Sequence, residues 1–272
     1  MYKRQLLDEI RVNVDKIPHT ELAQVTVRQQ LGDLYYTQGW YGKAVEPFTA
    51  AMRLCSNLPS EGKLIMSECK EALALVHIAS GNLKLAEPLL ENVLETRRAL
   101  VGEEHPLMAE TLTALARFHL RRKQLVEAEG FFERAKRIQQ ALHGDNAVHP
   151  AFLPIWQGLA TVYQQWEQPR LADALRLYKK QAHVLTQLYG PKFADVARAN
   201  LQAAEIAEQL KEWKQAETLY VGAMTTEQAL NGADHKQTQR LNEVLRKLRT
   251  EHPELLKRNR CCADEGNGCV VM

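Results

Sequence analysis

The sequence has few aromatic residues and lacks the runs of β-branched residues that favour strands. Aromatic residues make up 7% of its 272 positions. The chain is instead rich in Ala, Leu, Glu, Gln, Lys and Arg, which are strong helix formers. The composition therefore predicts an all-α protein.

An excess of one charge and a long apolar run are also missing. The formal net charge is only +2 and charged residues make up 25% of the chain, so nothing in the charge balance indicates a nucleic-acid partner. No stretch reaches the roughly 18 apolar residues that a membrane-spanning helix needs. We therefore expect neither nucleic-acid binding nor a transmembrane segment.

Cysteines are few and unevenly placed. The count of five is odd: Cys55 and Cys69 stand singly in the body, and the other three lie in the last dozen residues. This pattern does not fit a disulfide framework, and it suits a reducing compartment. We expect a cytoplasmic protein in which Cys55 and Cys69 are small buried apolar residues.

Motifs for catalysis are absent as well. The sequence has no glycine-rich phosphate loop, no G-x-S-x-G nucleophile motif and no H-E-x-x-H zinc motif. The histidines fall mostly between repeats or at packing positions. We predict no enzymatic activity, no catalytic residues, no metal site and no cofactor.

The strongest positive feature is an internal repeat. Glycines at 102, 144, 190 and 232 are spaced by 42, 46 and 42 residues. A second marker keeps the same period and consists of five alanines, each followed four positions later by a large residue: Ala44, Ala86, Ala128, Ala174 and Ala216. Two independent markers with one period predict a repeat architecture.

Each repeat predicts a pair of packed helices, A and B. Helix A carries a small residue beside a large one and a ring three positions later, as in Leu31-Gly32 and Tyr35. Such a small residue allows the partner helix to approach closely. A glycine is expected to end helix B in the left-handed conformation, and His-Pro, as at His105-Pro106, begins the next helix A.

This pattern resembles the tetratricopeptide repeat in its 42-residue, kinesin-light-chain-like form, over roughly residues 23–248. The resemblance implies a right-handed superhelical solenoid of about five helical hairpins. The paired asparagines that kinesin light chains place before the Leu-Ala of helix A are absent; Gln29-Gln30 and Gln157-Gly158 are among the replacements.

The repeat divides the chain into four parts. Residues 1–22 are predicted to form an N-terminal capping helix, 23–231 the five repeats, 232–256 a C-terminal capping helix and 257–272 a flexible tail. The sequence leaves open whether residues 1–5 are genuine, because they resemble a translated sequencing-adapter remnant.

The resemblance also implies that the A helices line a concave groove that binds a protein or peptide. Eight predicted inward-facing residues are the candidate partner-binding set: Gln29, Asp33, Tyr36, Glu71, Arg117, Arg121, Gln157 and Gln164. Such a polar surface suits hydrogen bonding to an extended peptide or a helix, with Arg117 and Arg121 as carboxylate clamps.

The C-terminus carries a separate signal. Cys269-Val270-Val271-Met272 matches a C-a-a-X box, and methionine at its end favours a farnesyl group on Cys269. One prenyl chain binds a membrane weakly, so a second signal is expected. Cys261 and Cys262 could accept palmitate, and nearby basic residues could contact anionic lipid. An accidental match, or a weak metal or redox cluster, is the competing interpretation.

Two hypotheses for function follow. The first is an interaction scaffold that holds a protein segment and associates peripherally, through its tail, with the cytoplasmic face of a membrane. The second is a soluble repeat module of a larger signalling or regulatory protein whose N-terminal effector domain is missing.

Overall fold

The computed structural model describes residues 21–56, 58, 61–145 and 148–255. These residues form eleven α-helices and no strand, which confirms the all-α prediction. A 3₁₀ turn, Pro150–Phe152, precedes α7. In chain order the helices are α1 (Glu21–Thr37), α2 (Tyr41–Cys55), α3 (Glu61–Ser80), α4 (Leu83–Val101), α5 (Pro106–Arg121), α6 (Leu125–His143), α7 (Leu153–Gln165), α8 (Leu171–Tyr189), α9 (Ala194–Gln209), α10 (Trp213–Asn231) and α11 (Lys236–Glu251).

Consecutive helices pack as hairpins, with odd-numbered helices up to α9 as A helices and their even-numbered partners as B helices. The chain divides into two compact units, Met1–Asp145 and Asn146–Met272. The described part of the N-terminal unit holds hairpins 1 to 3 (α1–α6). The described part of the C-terminal unit holds hairpins 4 and 5 (α7–α10) followed by α11.

Each B helix buries one apolar stripe. The stripe begins at the repeat alanine and continues four and seven residues later, and in α2, α4, α6 and α8 also eleven residues later, a spacing that keeps side chains on one helix face. In hairpin 1 it consists of Ala44, Phe48, Ala51 and Cys55, all of which are buried. The five repeat alanines are all fully buried. The alanine marker in the sequence therefore identifies the buried face of each B helix.

The start of α5 shows how the His-Pro pair initiates an A helix. His105 is the N-cap, and its Nδ1 accepts a hydrogen bond from the backbone N–H of Leu107 at 3.2 Å. Pro106 occupies the first helical position, where its missing N–H would have had no partner in the helix. The predicted helix start is therefore explained by the side-chain cap of His105 together with the φ of Pro106, which its ring fixes near the helical value.

The glycines that end the B helices differ from the left-handed conformation predicted for them. Gly102 has φ 84° and ψ 176°. Such a positive φ with an extended ψ is accessible essentially only to glycine. The N–H of Gly102 still closes the last turn on the carbonyl of Arg98, at 3.2 Å, and the extended ψ then directs the chain toward the next A helix. Glycine is required here, as predicted, but in another backbone region.

The last described α-helix, α11, lies within the segment 232–256 for which the sequence predicts a C-terminal capping helix. Its leucines Leu241, Leu245 and Leu248 are buried, and it packs against α10. None of the helices described is long and apolar enough to cross a membrane.

Candidate functional site

The A helices of the N-terminal unit form the more closely packed of its two layers. Helix α3 contacts both α1 and α5, whereas α2, α4 and α6 make no comparable contacts with one another in the described residues. We therefore consider α1, α3 and α5 together as the A-layer surface.

Helix α1 carries three of the predicted partner-binding residues. Asp33 is exposed, while Gln29 and Tyr36 are half-buried. The ring of Tyr36 lies 5.8 Å from that of Tyr41, in a tilted arrangement. An exposed carboxylate and a partly open ring give this helix both a charged and an apolar contact for a ligand.

Helix α5 carries the predicted basic pair. Arg117 is half-buried and Arg121 is exposed, and they are one helical turn apart. Within the described residues neither guanidinium makes an ion pair or a side-chain hydrogen bond. Two unpaired guanidinium groups on one face can bind carboxylates, since arginine presents a planar set of donors.

The structure buries Glu71 instead of exposing it as the sequence analysis expects for a groove residue. Glu71 Oε2 forms an ion pair at 3.0 Å with a guanidinium nitrogen of Arg97, whose side chain is 0% exposed. Arg97 also donates to Ser67 Oγ (3.1 Å), to the Leu107 carbonyl (2.8 Å) and to Thr111 Oγ1 (2.9 Å). This network joins α3, α4 and α5 beneath the A-layer surface.

Burial is the main cause of the unusual titration of Glu71. Its removal from water raises the pKa of Glu71 to about 7, and the attraction of Arg97 opposes that rise only in part. Burial also raises the pKa of Glu68, whose carboxylate is hydrogen-bonded by Gln29. Glu68 and Glu110, which lies 4.0 Å from Arg97, form the acidic end of the A-layer surface, and Glu71 is buried beneath it.

Arg97 is the residue that the sequence analysis missed. It lies on a B helix, eleven residues after the repeat alanine, in the stripe Ala86, Leu90, Val93 and Arg97. A charged residue at this apolar spacing was a visible signal of a buried ion pair. Its partner could not be read from the sequence, because Glu71 lies on the preceding helix.

The remaining predicted residues belong to the C-terminal unit. Gln164 donates from its side-chain amide to the hydroxyl of Tyr178 at 3.3 Å. Gln157 borders a small cavity between α7, α8 and α9. The structure therefore groups the predicted set as Gln29, Asp33, Tyr36, Glu71, Arg117 and Arg121 in one unit and Gln157 and Gln164 in the other.

The predicted lipidation sites, Cys261, Cys262 and Cys269, lie outside the described residues. Cys55 and Cys69 are both buried, and burial raises the pKa of the Cys69 thiol to about 12. A thiol with such a pKa stays protonated at neutral pH and is a poor nucleophile.

Comparison with known proteins agrees with the repeat. A family model described as tetratricopeptide repeat matches residues 67–141, which span α3 to α6 apart from their ends. The fold of the described residues is that of tetratricopeptide-repeat solenoid structures. A search of the curated proteins gave no match.

Three solved structures illustrate the similarity. BtubC (BKLC) from P. vanneervenii has a TM-score of 0.62 at 19% identity, over 83% of this chain and 88% of that one. The kinesin-light-chain TPR-like repeats from Podosopora anserina have a TM-score of 0.55 at 21% identity, over 78% and 98%. PilF of Pseudomonas aeruginosa has a TM-score of 0.51 at 17% identity, over 89% and 97%. At these identities the likeness concerns the fold.

Proposed function

We propose that this chain is an interaction scaffold that holds a segment of a partner protein, extended or helical, along its A helices. The observation that carries the proposal is the unpaired basic pair, Arg117 and Arg121, on the A-layer surface of the N-terminal unit. Charges without an internal partner contribute little to folding stability and remain available to a ligand. Gln29, Asp33 and Tyr36 extend the same surface.

The charge distribution indicates the kind of segment that fits. Glu110 is at the acidic end and Arg117 at the basic end of α5, seven residues apart, or about 10 Å at 1.5 Å per residue. An extended peptide covers that distance in about three residues. We therefore expect a segment with a basic residue and, about three residues away, an acidic residue.

The groove proposal predicts that reversing the basic pair weakens binding. Peptides would be selected from a random phage library on the purified chain, and their Kd measured by fluorescence anisotropy. We expect Arg117→Glu with Arg121→Glu to raise Kd about ten-fold, because a peptide carboxylate then meets like charge. The matched control is Arg134→Glu with Arg137→Glu, two exposed positions on helix B of hairpin 3. Equal losses in the two variants, or no selected peptide, would contradict the proposal.

The C-terminal tail adds a second element, a membrane tether. The support is the Cys-Val-Val-Met ending, with Cys261, Cys262 and basic residues a short distance upstream. Farnesyl alone gives marginal membrane binding, and palmitate or a polybasic segment supplies the second contribution. The tether would hold the scaffold and its bound segment at a cytoplasmic leaflet.

The tether predicts modification at one cysteine. Purified chain incubated with farnesyltransferase and farnesyl diphosphate is expected to gain the mass of one farnesyl group, and Cys269→Ser is expected to gain none. Cys261→Ser with Cys262→Ser is the control and keeps the modification. Intact-mass spectrometry measures each species. A farnesyl group on the Cys269→Ser variant, or none on the unaltered chain, would refute this part of the proposal.

A further inference from the structure

The B helix of hairpin 4, α8, carries a buried amide in the middle of its apolar stripe. The stripe position seven residues after the repeat alanine holds a small apolar residue in four hairpins: Ala51, Val93, Ala135 and Ala223. In hairpin 4 the same position holds Gln181, which is only 8% exposed. A buried amide costs stability unless it is hydrogen-bonded. The side-chain oxygen of Gln181 has no hydrogen-bond partner in the described part of the chain.

Gln181 borders a cavity of about 190 Å³ between α7, α8 and α9. Two further amides, Gln157 of α7 and Gln202 of α9, border it from the flanking A helices. Apolar contacts come from Leu153 and Leu185. Pockets for drug-sized ligands are typically 300–1,000 Å³, so this one suits a single side chain and not a cofactor.

The charges at the cavity are balanced. Arg198 and Asp195, which also border it, form an ion pair at 3.1 Å. The remaining polar groups are the three amides, each of which offers a donor and an acceptor. A neutral group that both donates and accepts hydrogen bonds matches this lining better than a charged one.

We propose that this cavity is a subsite for a carboxamide side chain, glutamine or asparagine, of the bound segment, which rests on the function proposed above. The methylene stem of such a residue lies against Leu153 and Leu185, and its amide pairs with Gln157, Gln181 and Gln202. The last torsion of a glutamine side chain is broad and two-fold, so the amide of Gln181 can turn its oxygen toward the incoming N–H.

Other side chains fit less well. A carboxylate would offer no donor to three amide oxygens and would lie near Asp195, while an ammonium group would lie near Arg198 and offer no acceptor. A leucine would displace water from the amides without replacing the hydrogen bonds that the water makes. Leaving the buried amides without partners would lower the binding free energy. The subsite therefore selects by hydrogen bonding and not by charge.

The test uses single-residue probes on the full chain. N-acetyl-glutamine methylamide, and the corresponding glutamate and leucine compounds, would be titrated into labelled protein while the side-chain amide signal of Gln181 is followed by NMR. We expect a saturable shift with the glutamine probe and at least a ten-fold weaker response with the other two. Comparable responses to all three probes, or none to the glutamine probe, would overturn the proposal.

Two variants separate recognition from folding. Gln181→Ala places in hairpin 4 the residue that three other hairpins carry, so we expect it to fold with at least equal stability. We expect this variant to bind the glutamine probe at least ten-fold more weakly, as measured from the backbone NMR signals of α7 and α9. Gln165→Ala, an exposed change on α7 away from the cavity, should leave the affinity unchanged. Full binding to Gln181→Ala would show that Gln181 is not part of the subsite.

This test is independent of the groove test. If library peptides bind through Arg117 and Arg121 while the glutamine probe fails, only the subsite is refuted. If the probe binds and no peptide does, the cavity recognises carboxamides but the scaffold proposal fails.

Discussion

Replacing Arg97 by alanine is expected to lower the free energy of unfolding by about 3–5 kcal/mol, the cost of leaving a buried charge without its partner. Arg97 is completely buried and pairs with Glu71 at 3.0 Å. Its neutral partners keep other hydrogen bonds after the change, since Ser67 Oγ also donates to the Leu64 carbonyl and Thr111 Oγ1 to that of Leu107. Among these described partners, Glu71 alone is left as a buried carboxyl without compensation, which either carries an unpaired charge or takes up a proton. Urea unfolding followed by circular dichroism measures the loss.

Three comparisons identify the cause of that loss. Arg97→Met combined with Glu71→Leu should recover most of it, because an apolar pair of similar size often replaces a buried ion pair without cost. Arg98→Ala, which breaks a half-exposed pair with Glu103, should cost no more than about 1 kcal/mol. An equal loss in the double variant would show that Arg97 acts by packing alone.

The pH provides the third comparison. A carboxyl whose pKa is raised in the folded state stabilises the fold below its unfolded pKa, and this contribution is lost as the pH rises through the folded value. Burial already raises the pKa of Glu71 from 4.5 to about 7 beside Arg97, and removal of Arg97 removes the attraction that limits the rise. The deficit of Arg97→Ala should therefore be smaller at pH 5 than at pH 8.

The helical repeats could be predicted from the sequence because their determinants are local. The alanine and the ring four residues later share one face of a single helix, and His105-Pro106 caps a helix through atoms two residues apart. Their spacing alone fixes which sides of the helices meet. The backbone region of Gly102 was mistaken because it depends on where the next helix lies, and not only on how the previous one ends.

The polar interior could not be predicted in the same way. Arg97 and Gln181 both lie in B-helix stripes, where the spacing alone marks them as buried. Whether a buried polar group is paired depends on another helix. Arg97 finds a carboxylate on α3, whereas the oxygen of Gln181 finds no partner in the described residues. That difference, together with the cavity that borders Gln181, separates a structural ion pair from a candidate ligand subsite, and only the three-dimensional structure gives it.

Hairpin 1 is closed by a contact that leaves no room for a side chain on helix A. A Cβ placed on Gly32 would lie 2.6 Å from ring carbons of Phe48. The ring is itself 1% exposed and packs among Leu31, Tyr35 and Ala44, so it has little space to withdraw. The small residue beside a large one in the sequence thus marks the closest approach of α1 and α2.

Gly32→Ala is therefore expected to destabilise the protein by about 1–3 kcal/mol, the usual cost of overpacking a filled core. Helix propensity acts in the opposite direction, because alanine is favoured over glycine inside a helix by about 0.5–1 kcal/mol. Gly130→Ala isolates that gain, since a Cβ at this exposed position of α6 meets nothing within 4 Å, and it should raise stability by about that amount. Urea unfolding measures the change in the free energy of unfolding for each single variant. The two changes have opposite signs if the contact with Phe48 determines the stability of hairpin 1. A stabilised Gly32→Ala would mean that the ring can move aside and that the close approach is not required.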